Sequence, residues 1–418
     1  MPLPDDLRDS AIALFQCAVT QADPAAALAA ALARSPLPQP AGTTILIAIG
    51  KAAPAMMGAA LRHVTGPHRA LCITHHGNPA PCTGATLMQS GHPVPDAAGL
   101  AAGAAVIDLL RGADSGDHVI ALISGGGSAL VPAPSPGLSL DDKITLNRAL
   151  LASGLDIVEM NMIRQQVSQL KGGGMLRLAA PARVTGYILS DVIGDDLNAI
   201  ASGPTTAPLG TRQTATAALK AAGLWDGLSD RLRAYLSAPT PALPRLTAEN
   251  HLIGSNSQSL HAVAKSAEAR FDTRIVSDRL VGDVADAARA IHAAASALPE
   301  AAPPTALLWG GETTVKLTGT GRGGRNQELA LRVAALAENA PLRRRWLFLS
   351  GGTDGRDGPT DAAGGIVDAG TWRRIPGAAA LLANNDSHAA LKQAGALLIT
   401  GATGTNVADI QILLSAPL

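Results

Sequence analysis

The chain has 418 residues, long enough for two or three domains and for a core that needs no disulfide or structural metal. Its 33 basic and 33 acidic residues cancel and aromatics make up only 2%. Charge attraction to nucleic acid or an anionic membrane, and base stacking, are therefore excluded as main activities. The cysteines Cys17, Cys72 and Cys82 fit neither a disulfide framework nor a zinc spacing. The start is acidic where a secretory signal is basic, and no apolar run approaches about 20 residues. A cytoplasmic location is expected.

In chain order, an Ala-rich stretch over 24–33 predicts a short helix. The apolar run 44–49 predicts a buried parallel strand that leads through Gly50-Lys51 into a helix over 52–61. Further strands are expected over 70–74, 118–123 and 184–189, with helices over 140–152 and 155–170 between them. The Pro-rich segment 238–246 predicts a linker. Strand, helix, strand, helix follow over 251–253, 255–269, 274–277 and 283–295. The run 306–317, interrupted by Gly310-Gly311, predicts a bend or hairpin, followed by a Gly/Arg loop, a helix over 326–338 and a strand over 346–349. Asn385-Asp386-Ser387 predicts a helix start, and 396–400 and 407–414 predict closing strands. Strands alternating with helices give an α/β fold with a mainly parallel sheet.

Ligands of such sheets bind at the carboxyl ends of strands. Here strand after strand ends in glycine plus a polar residue: Gly50-Lys51, Ser124-Gly-Gly-Gly-Ser128, Ser190-Asp191, Gly254-Ser-Asn256, Gly310-Gly-Glu312 and Ser350-Gly-Gly-Thr-Asp354. The loop Ser124, Gly125, Gly126, Gly127, Ser128 suits a phosphate cradle, with a flexible connection as the alternative. The segment 319–324 matches G-x-G-x-x-G, but no acid ends the next strand, so the dinucleotide fingerprint is incomplete. Arg322 and Arg325 bracket those glycines and suit phosphate, unless the loop is simply solvated. Lys51 follows a glycine after a buried strand and is either a phosphate ligand or a surface lysine. Asp191 and Asp354 at strand tips suit magnesium-nucleotide binding or a general base, with turn capping as the plainer role. His92 and Asp96 lie in Gly91-His-Pro-Val-Pro-Asp96, which either presents both to a cleft or forms a rigid turn with Asp96 capping the next helix. Walker, zinc-hydrolase and Gly-x-Ser-x-Gly motifs are missing.

These loops taken together resemble the glycerate 2-kinase family, the MOFRL-domain glycerate kinases also labelled hydroxypyruvate reductase in tartrate degradation. The resemblance rests on Gly50-Lys-Ala-Ala53, Gly91-His-Pro-Val-Pro-Asp96, Ser124-Gly-Gly-Gly-Ser-Ala129, Lys171-Gly-Gly-Gly174, Leu189-Ser-Asp-Val192 and Ala201-Ser-Gly-Pro-Thr205. It continues with Gly310-Gly-Glu-Thr-Thr314, Gly321-Arg-Gly-Gly-Arg-Asn-Gln-Glu-Leu329, Ser350-Gly-Gly-Thr-Asp-Gly355, Asp361-Ala-Ala-Gly364 and Thr403-Gly-Thr-Asn406. The ordered set spans nearly the whole chain.

The resemblance implies phosphorylation of D-glycerate at its 2-hydroxyl by ATP with Mg2+. It implies a large Rossmann-like parallel-sheet domain over 1–240, a connecting α/β segment over 241–303 associated with it, and a smaller α/β MOFRL domain over 304–418. The active site is expected in the inter-domain cleft, and Lys51 and Arg325 map to the family's suspected catalytic cations. On the residues' chemistry, Ser124 to Ser128 would cradle phosphate through backbone N–H groups. Asp191 would accept the 2-hydroxyl proton or hold Mg2+, and Asp354 would join the metal or substrate site. Asn256, Glu312, Arg322 and Asn326 complete the cofactor-binding set. The rivals are an NAD(P)H-dependent reductase, whose only dinucleotide candidate is 319–324, and a non-catalytic sugar-acid phosphate sensor. No nucleic acid or membrane partner is expected, and the chain is taken as a monomer or homodimer.

Overall fold

The computed structural model describes residues 7–78, 80–240 and 246–418. The acidic start and most of the expected linker over 238–246 therefore lie outside the described residues. The chain forms two compact units, each built on one six-stranded sheet.

The first unit spans 24–190 and 195–253. Its strands are β1 (Thr44–Ile49), β2 (His68–His75), β3 (Thr86–Ser90), β4 (His118–Ile123), β5 (Arg183–Leu189) and β6 (Glu249–Gly254), in the order β3-β2-β1-β4-β5-β6. The pairs β2–β3, β1–β2, β1–β4 and β4–β5 are all parallel. The sequence dictates this: β1 and β4 are buried at every position, which needs cover on both faces and suits a parallel sheet. The carboxyl ends of β1, β4 and β5 therefore share one edge, and Gly50-Lys51 and the Ser124 to Ser128 loop emerge there. A helical satellite packs Leu146, Leu150, Ile163, Leu219, Leu232 and Leu236 into its own core.

The second unit comprises 7–23, 191–194 and 254–418. Its strands are β7 (Asp272–Asp283), β8 (Thr305–Thr314), β9 (Arg345–Gly352), β10 (Gly364–Asp368), β11 (Leu397–Leu398) and β12 (Asp409–Ala416), ordered β11-β10-β9-β12-β8-β7. This sheet is mixed: β7–β8 is parallel, whereas β12 runs antiparallel to both β8 and β9. Side chains alternate across it. Leu307 and Trp309 of β8 pack against helices Val284–Ser296 and Arg325–Asn339, while Ala306 and Leu308 pack against helices Leu7–Gln21 and Asn256–Ala267. Two helix layers thus enclose one sheet.

Three features differ from the sequence reading. The amino-terminal helix Leu7–Gln21 packs on the second sheet, because Leu14 and Phe15 fill the core that β9 and β12 expose. Residues 254–303, expected with the amino-terminal domain, also belong to the second unit, since β7 pairs with β8 along most of its length. The expected bend at Gly310-Gly311 is an uninterrupted strand. Glycine is required there by close approach. A side chain on Gly311 would collide with the backbone of Leu280 on β7, and one on Gly310 with the Asn256 amide. Among the described residues no helix is long and apolar enough to cross a membrane.

Candidate functional site

In the first unit, the loops after β1 and β4 are tied together. Lys51 N–H donates to the Gly125 carbonyl at 2.9 Å, and Ala52 N–H donates to Ser124 Oγ at 3.1 Å. Ser124 is fully buried, so its hydroxyl braces the lysine turn and does not face a ligand. Ser128 Oγ lies 2.8 Å from Ser202 Oγ, and Ser202 donates to Asn161 Oδ1, which leaves Ser128 as the donor between the two serines. Ala201, Ser202 and Gly203 run through three left-handed conformations to place that hydroxyl, a strained turn for non-glycine residues.

What the glycine loop does offer is its backbone. Among the described residues the N–H groups of Gly125, Gly126, Gly127 and Ser128 have no acceptor. Gly126 adopts φ +85°, and a Cβ there would sit 3.1 Å from the His92 ring and 3.4 Å from Lys51 Cγ. Lys51 is half-buried, and its ammonium forms no ion pair among the described residues. Its neighbours are imidazoles. Burial, with Lys51 next, holds His92 down to about 4 and pulls His75 below its usual range, so both are neutral at pH 7. Asp96 is accounted for: it caps helix Ala97–Arg111 through Gly99 N–H and pairs with His76 at 2.7 Å.

The second unit gathers charge around Arg325. Its Nε and Nη2 donate to Asp409 at 2.6 and 2.9 Å, and its Nη1 pairs with Glu312 at 2.8 Å. The strand register makes this cluster. Asp409, at the start of β12, lies opposite Gly311 of β8 and Gly352 of β9, so Glu312 is the next residue on one side and Asp354 lies two residues on along the other. Burial pushes Glu312 up, Arg325 pulls it down, and the negative charges of Asp409, Asp191 and Asp354 push it up again. Arg325 is held firmly in its charged form by Asp409 and Glu312. Two of its five N–H groups remain after these bonds. Asp354 also accepts from Arg356 N–H at 2.9 Å.

Asn256 and Asn326 are buried and their amides brace the framework. Asn256 donates to the carbonyls of Val407 and Asp409, both at 2.8 Å, and Asn326 accepts from Ser350 Oγ at 2.6 Å.

The G-x-G-x-x-G segment is held against a neighbouring turn, and its amides up to Arg322 are already used. The N–H groups of Thr318 and Gly319 donate to Asn385 Oδ1, that of Thr320 to Asn384 Oδ1, that of Gly321 to the Asn384 carbonyl and that of Arg322 to Asp386 Oδ1. Side chains on Gly319, Gly321 or Gly323 would strike the 384–387 turn, so these glycines permit close packing. The start of helix Arg325–Asn339 is closed too: Asp357, buried, accepts from the N–H groups of Asn326 and Gln327 at 3.1 and 2.9 Å. Arg322 is exposed and donates to the Pro359 carbonyl at 2.6 Å.

Of the expected residues, the structure brings Lys51 together with Ser124 to Ser128, and Arg325 together with Glu312, Asp191 and Asp354. It sets Arg322, Asn256 and Asn326 to structural work. Asp409 was missed, because it sits in what reads as a closing apolar strand. A lone carboxylate before Ile410-Gln-Ile-Leu-Leu414 was the available signal.

Residues 10–237 match a family described as a domain of unknown function (DUF4147), and residues 305–409 match the MOFRL family. D-glycerate 2-kinase of Thermotoga maritima is 41% identical over 384 residues, covering 88% of this chain and 89% of that protein. The chain belongs to the glycerate kinase family. Glycerate 2-kinase of Pyrococcus horikoshii is 36% identical over 392 residues, covering 89% of this chain and 87% of that protein. The crystal structure of a glycerate kinase from Thermotoga maritima superimposes with a TM-score of 0.90 at 36% identity, covering 99% of this chain and all of that one.

Proposed function

We propose that this glycerate kinase family member transfers the γ-phosphoryl group of ATP to the 2-hydroxyl of D-glycerate, giving 2-phosphoglycerate and ADP. The observation that carries the reading is the row of four N–H groups at Gly125 to Ser128, unpaired among the described residues, beside an ammonium with no counter-ion among them. Phosphoryl transfer asks for such fixed donors and neutralising charge, with little covalent chemistry from the protein. Lys51 offsets charge on the transferring group. The N–H row holds phosphate oxygens, with Ser124 and Ser128 fixing the loop from behind.

Arg325 enters as a cation whose position is set by Asp409, with two N–H groups left for an oxyanion. Asp191 and Asp354 are the proposed magnesium carboxylates, and Asp191 the proposed acceptor of the hydroxyl proton. Among the described residues no three His, Cys, Asp or Glu side chains converge as a metal cage. Mg2+ takes one or two carboxylates and completes its shell with water and substrate phosphates. Bound there, Mg2+ would neutralise phosphate charge. The reductase alternative is disfavoured by Asp357, whose carboxylate takes the Asn326 and Gln327 amides at the helix start where a dinucleotide pyrophosphate would lie. The chain is taken to act in the cytoplasm as a monomer or homodimer.

The test is a product assay with ATP, Mg2+ and D-glycerate coupled through enolase, which accepts the 2-phosphate and not the 3-phosphate. Signal without phosphoglycerate mutase is expected. Signal only with the mutase would overturn the position of transfer, and no ADP at all would overturn the kinase reading.

A further inference from the structure

A cavity of about 160 Å³ in the first unit is lined by three cations and no carboxylate. Lys143 comes from helix Leu140–Ala152, Arg164 from helix Ile157–Gln166, and Lys171 from the Lys-Gly-Gly-Gly turn that follows. Ser128 and Pro93 form part of the same wall. Lys171 is only 6% exposed. The neutral partners are few: Lys143 Nζ donates to the Val167 carbonyl and Lys171 Nζ to Ser202 Oγ, both at 3.3 Å. Arg164 Nε is buried with no hydrogen-bond partner. Among the described residues none of the three cations forms an ion pair.

Such a cluster is expensive to fold. Buried charges are normally paired, and like charges packed together repel. Burial and mutual repulsion pull Lys143 down to about 7 and Lys171 well below its usual range. The chain also has equal numbers of acidic and basic residues, so a carboxylate could have been supplied at no compositional penalty. A site that concentrates positive charge and supplies no counter-charge is complementary to a ligand that brings its own.

We propose that this cavity binds the carboxylate of the acid substrate, an assignment that rests on the glycerate kinase reading. Two sources of oxyanion fit the charge, a small carboxylic acid and a nucleotide phosphate. Size suits the first: about 160 Å³ admits the carboxylate end of a three-carbon acid, whereas the bulk of a nucleotide would extend out of it. Placement agrees. Ser128 belongs both to this wall and to the row of free N–H groups, and Pro93 follows His92, which packs beside Lys51. A carboxylate anchored among Lys143, Arg164 and Lys171 leaves the hydroxyl end of a short acid toward the glycine loop. Lys171, held by Ser202, and Arg164, with an unused N–H, set the direction of that anchor.

Titration calorimetry of the full chain reads this without turnover, using D-glycerate alone and ATP alone. Lys143→Met and Arg164→Met each remove one charge and keep the stem volume. The Kd for D-glycerate is expected to rise about 10- to 100-fold in each, the loss of one charge-assisted hydrogen bond. ATP affinity is expected to be unchanged, and glycerol, which lacks the carboxylate, to bind all variants equally weakly. Unliganded Lys143→Met is expected to melt no lower than the parent, since an unpaired buried cation has gone. A lower melting temperature with unaltered glycerate binding would assign the cations a structural role and overturn the proposal. A raised Kd for ATP with unaltered glycerate binding would give the cavity to the nucleotide and equally overturn it. If a variant is unfolded, Lys143→Arg, expected to retain binding, keeps the comparison open. Glycerate binding lost in the variants of a chain that transfers no phosphate would defeat the kinase reading and leave the cavity assigned.

Discussion

Asp409→Asn is the most informative single change in the second unit. The wild-type carboxylate is fully buried and accepts two bonds from Arg325, at 2.6 and 2.9 Å. Asparagine has the same shape, so packing and the backbone link from Asn256 to the Asp409 carbonyl are kept. Its amide oxygen can accept one of the two bonds, but its NH2 must then face a guanidinium N–H. Breaking a fully buried pair costs about 3–5 kcal/mol, because a charge is left uncompensated. Here the remaining charge is partly relieved: Arg325 is one-third exposed and keeps Glu312 at 2.8 Å. The estimate is therefore nearer the loss of one charged hydrogen bond, about 2–3 kcal/mol. For a unit of this size that lowers the melting temperature by roughly 4–12 °C. Trp309, Trp346 and Trp372 lie in the second unit and Trp225 in the first, so tryptophan fluorescence in a Trp225→Phe background follows melting of the second unit. Glu312→Gln serves as the control, since an exposed partner is worth about 1 kcal/mol or less. A variant as stable as the parent would refute the argument that Asp409 holds Arg325. So would a double variant with Arg325→Met whose effect equals the sum of the single changes, since coupled groups are non-additive.

Other outcomes follow from the same geometry. Lys51→Ala is expected to lower turnover by at least about 100-fold with an unchanged melting temperature, because its ammonium has no ion-pair partner among the described residues to lose; near-normal turnover would remove it from the mechanism. Gly126→Ala forces a side chain to φ +85° against His92 and Lys51, and is expected to cost about 1–2 kcal/mol in stability and to weaken ATP binding. Gly321→Ala meets the backbone carbonyl of Asn384 at 2.6 Å and is expected to cost about 1–3 kcal/mol while leaving the ATP KM of the folded fraction unchanged. The KM for D-glycerate is expected to rise between about pH 7 and 9. Lys143, held down to about 7 by burial and by Arg164, is charged below that pH and neutral above it, with Arg164 as its charged neighbour and Lys171, itself pulled well below its usual range, beside it. Lys143→Arg, charged throughout, is expected to flatten that profile.

The first sheet was legible because its strands announce themselves. A run such as Thr-Ile-Leu-Ile-Ala-Ile at 44–49 is apolar at every position, and only a strand covered on both faces accommodates that. The second sheet was less legible. Its β7, Asp272–Asp283, alternates exposed and half-buried positions and carries charged residues at both ends, so its pairing with β8 had no local signature. The amino-terminal helix is tied to helix Asn256–Ala267 of that unit across 241 residues of sequence, from Ala18 to Ser259, which no periodicity reports. Likewise Asp409 acquires its role only when β12 is laid between β8 and β9.

The two glycine-rich loops show most clearly where a motif stops carrying information. Both 124–128 and 319–324 are small-residue loops beside cations, and as sequence the second is nearer a known fingerprint. A backbone binds an anion only with N–H groups that nothing else accepts from. In 319–324 the glycines let the 384–387 turn approach so closely that it accepts from consecutive amides, and no donor from Thr318 to Arg322 is left. In 124–128 the neighbours that approach are side chains, Lys51 and His92, which accept from none of the four amides. The same residue type thus serves packing in one loop and leaves donors open in the other. The difference lies in whether an acceptor-rich turn from a distant part of the chain, here Asn384-Asn-Asp386, folds onto the loop. That turn was legible as a helix start, but its capture of five amides 60 residues upstream was not. If the reasoning holds, Asn385→Ala, which removes the acceptor for Thr318 and Gly319, destabilises the second unit and creates no new affinity for ATP, whereas an ATP-binding loop at 319–324 would gain donors and bind more tightly.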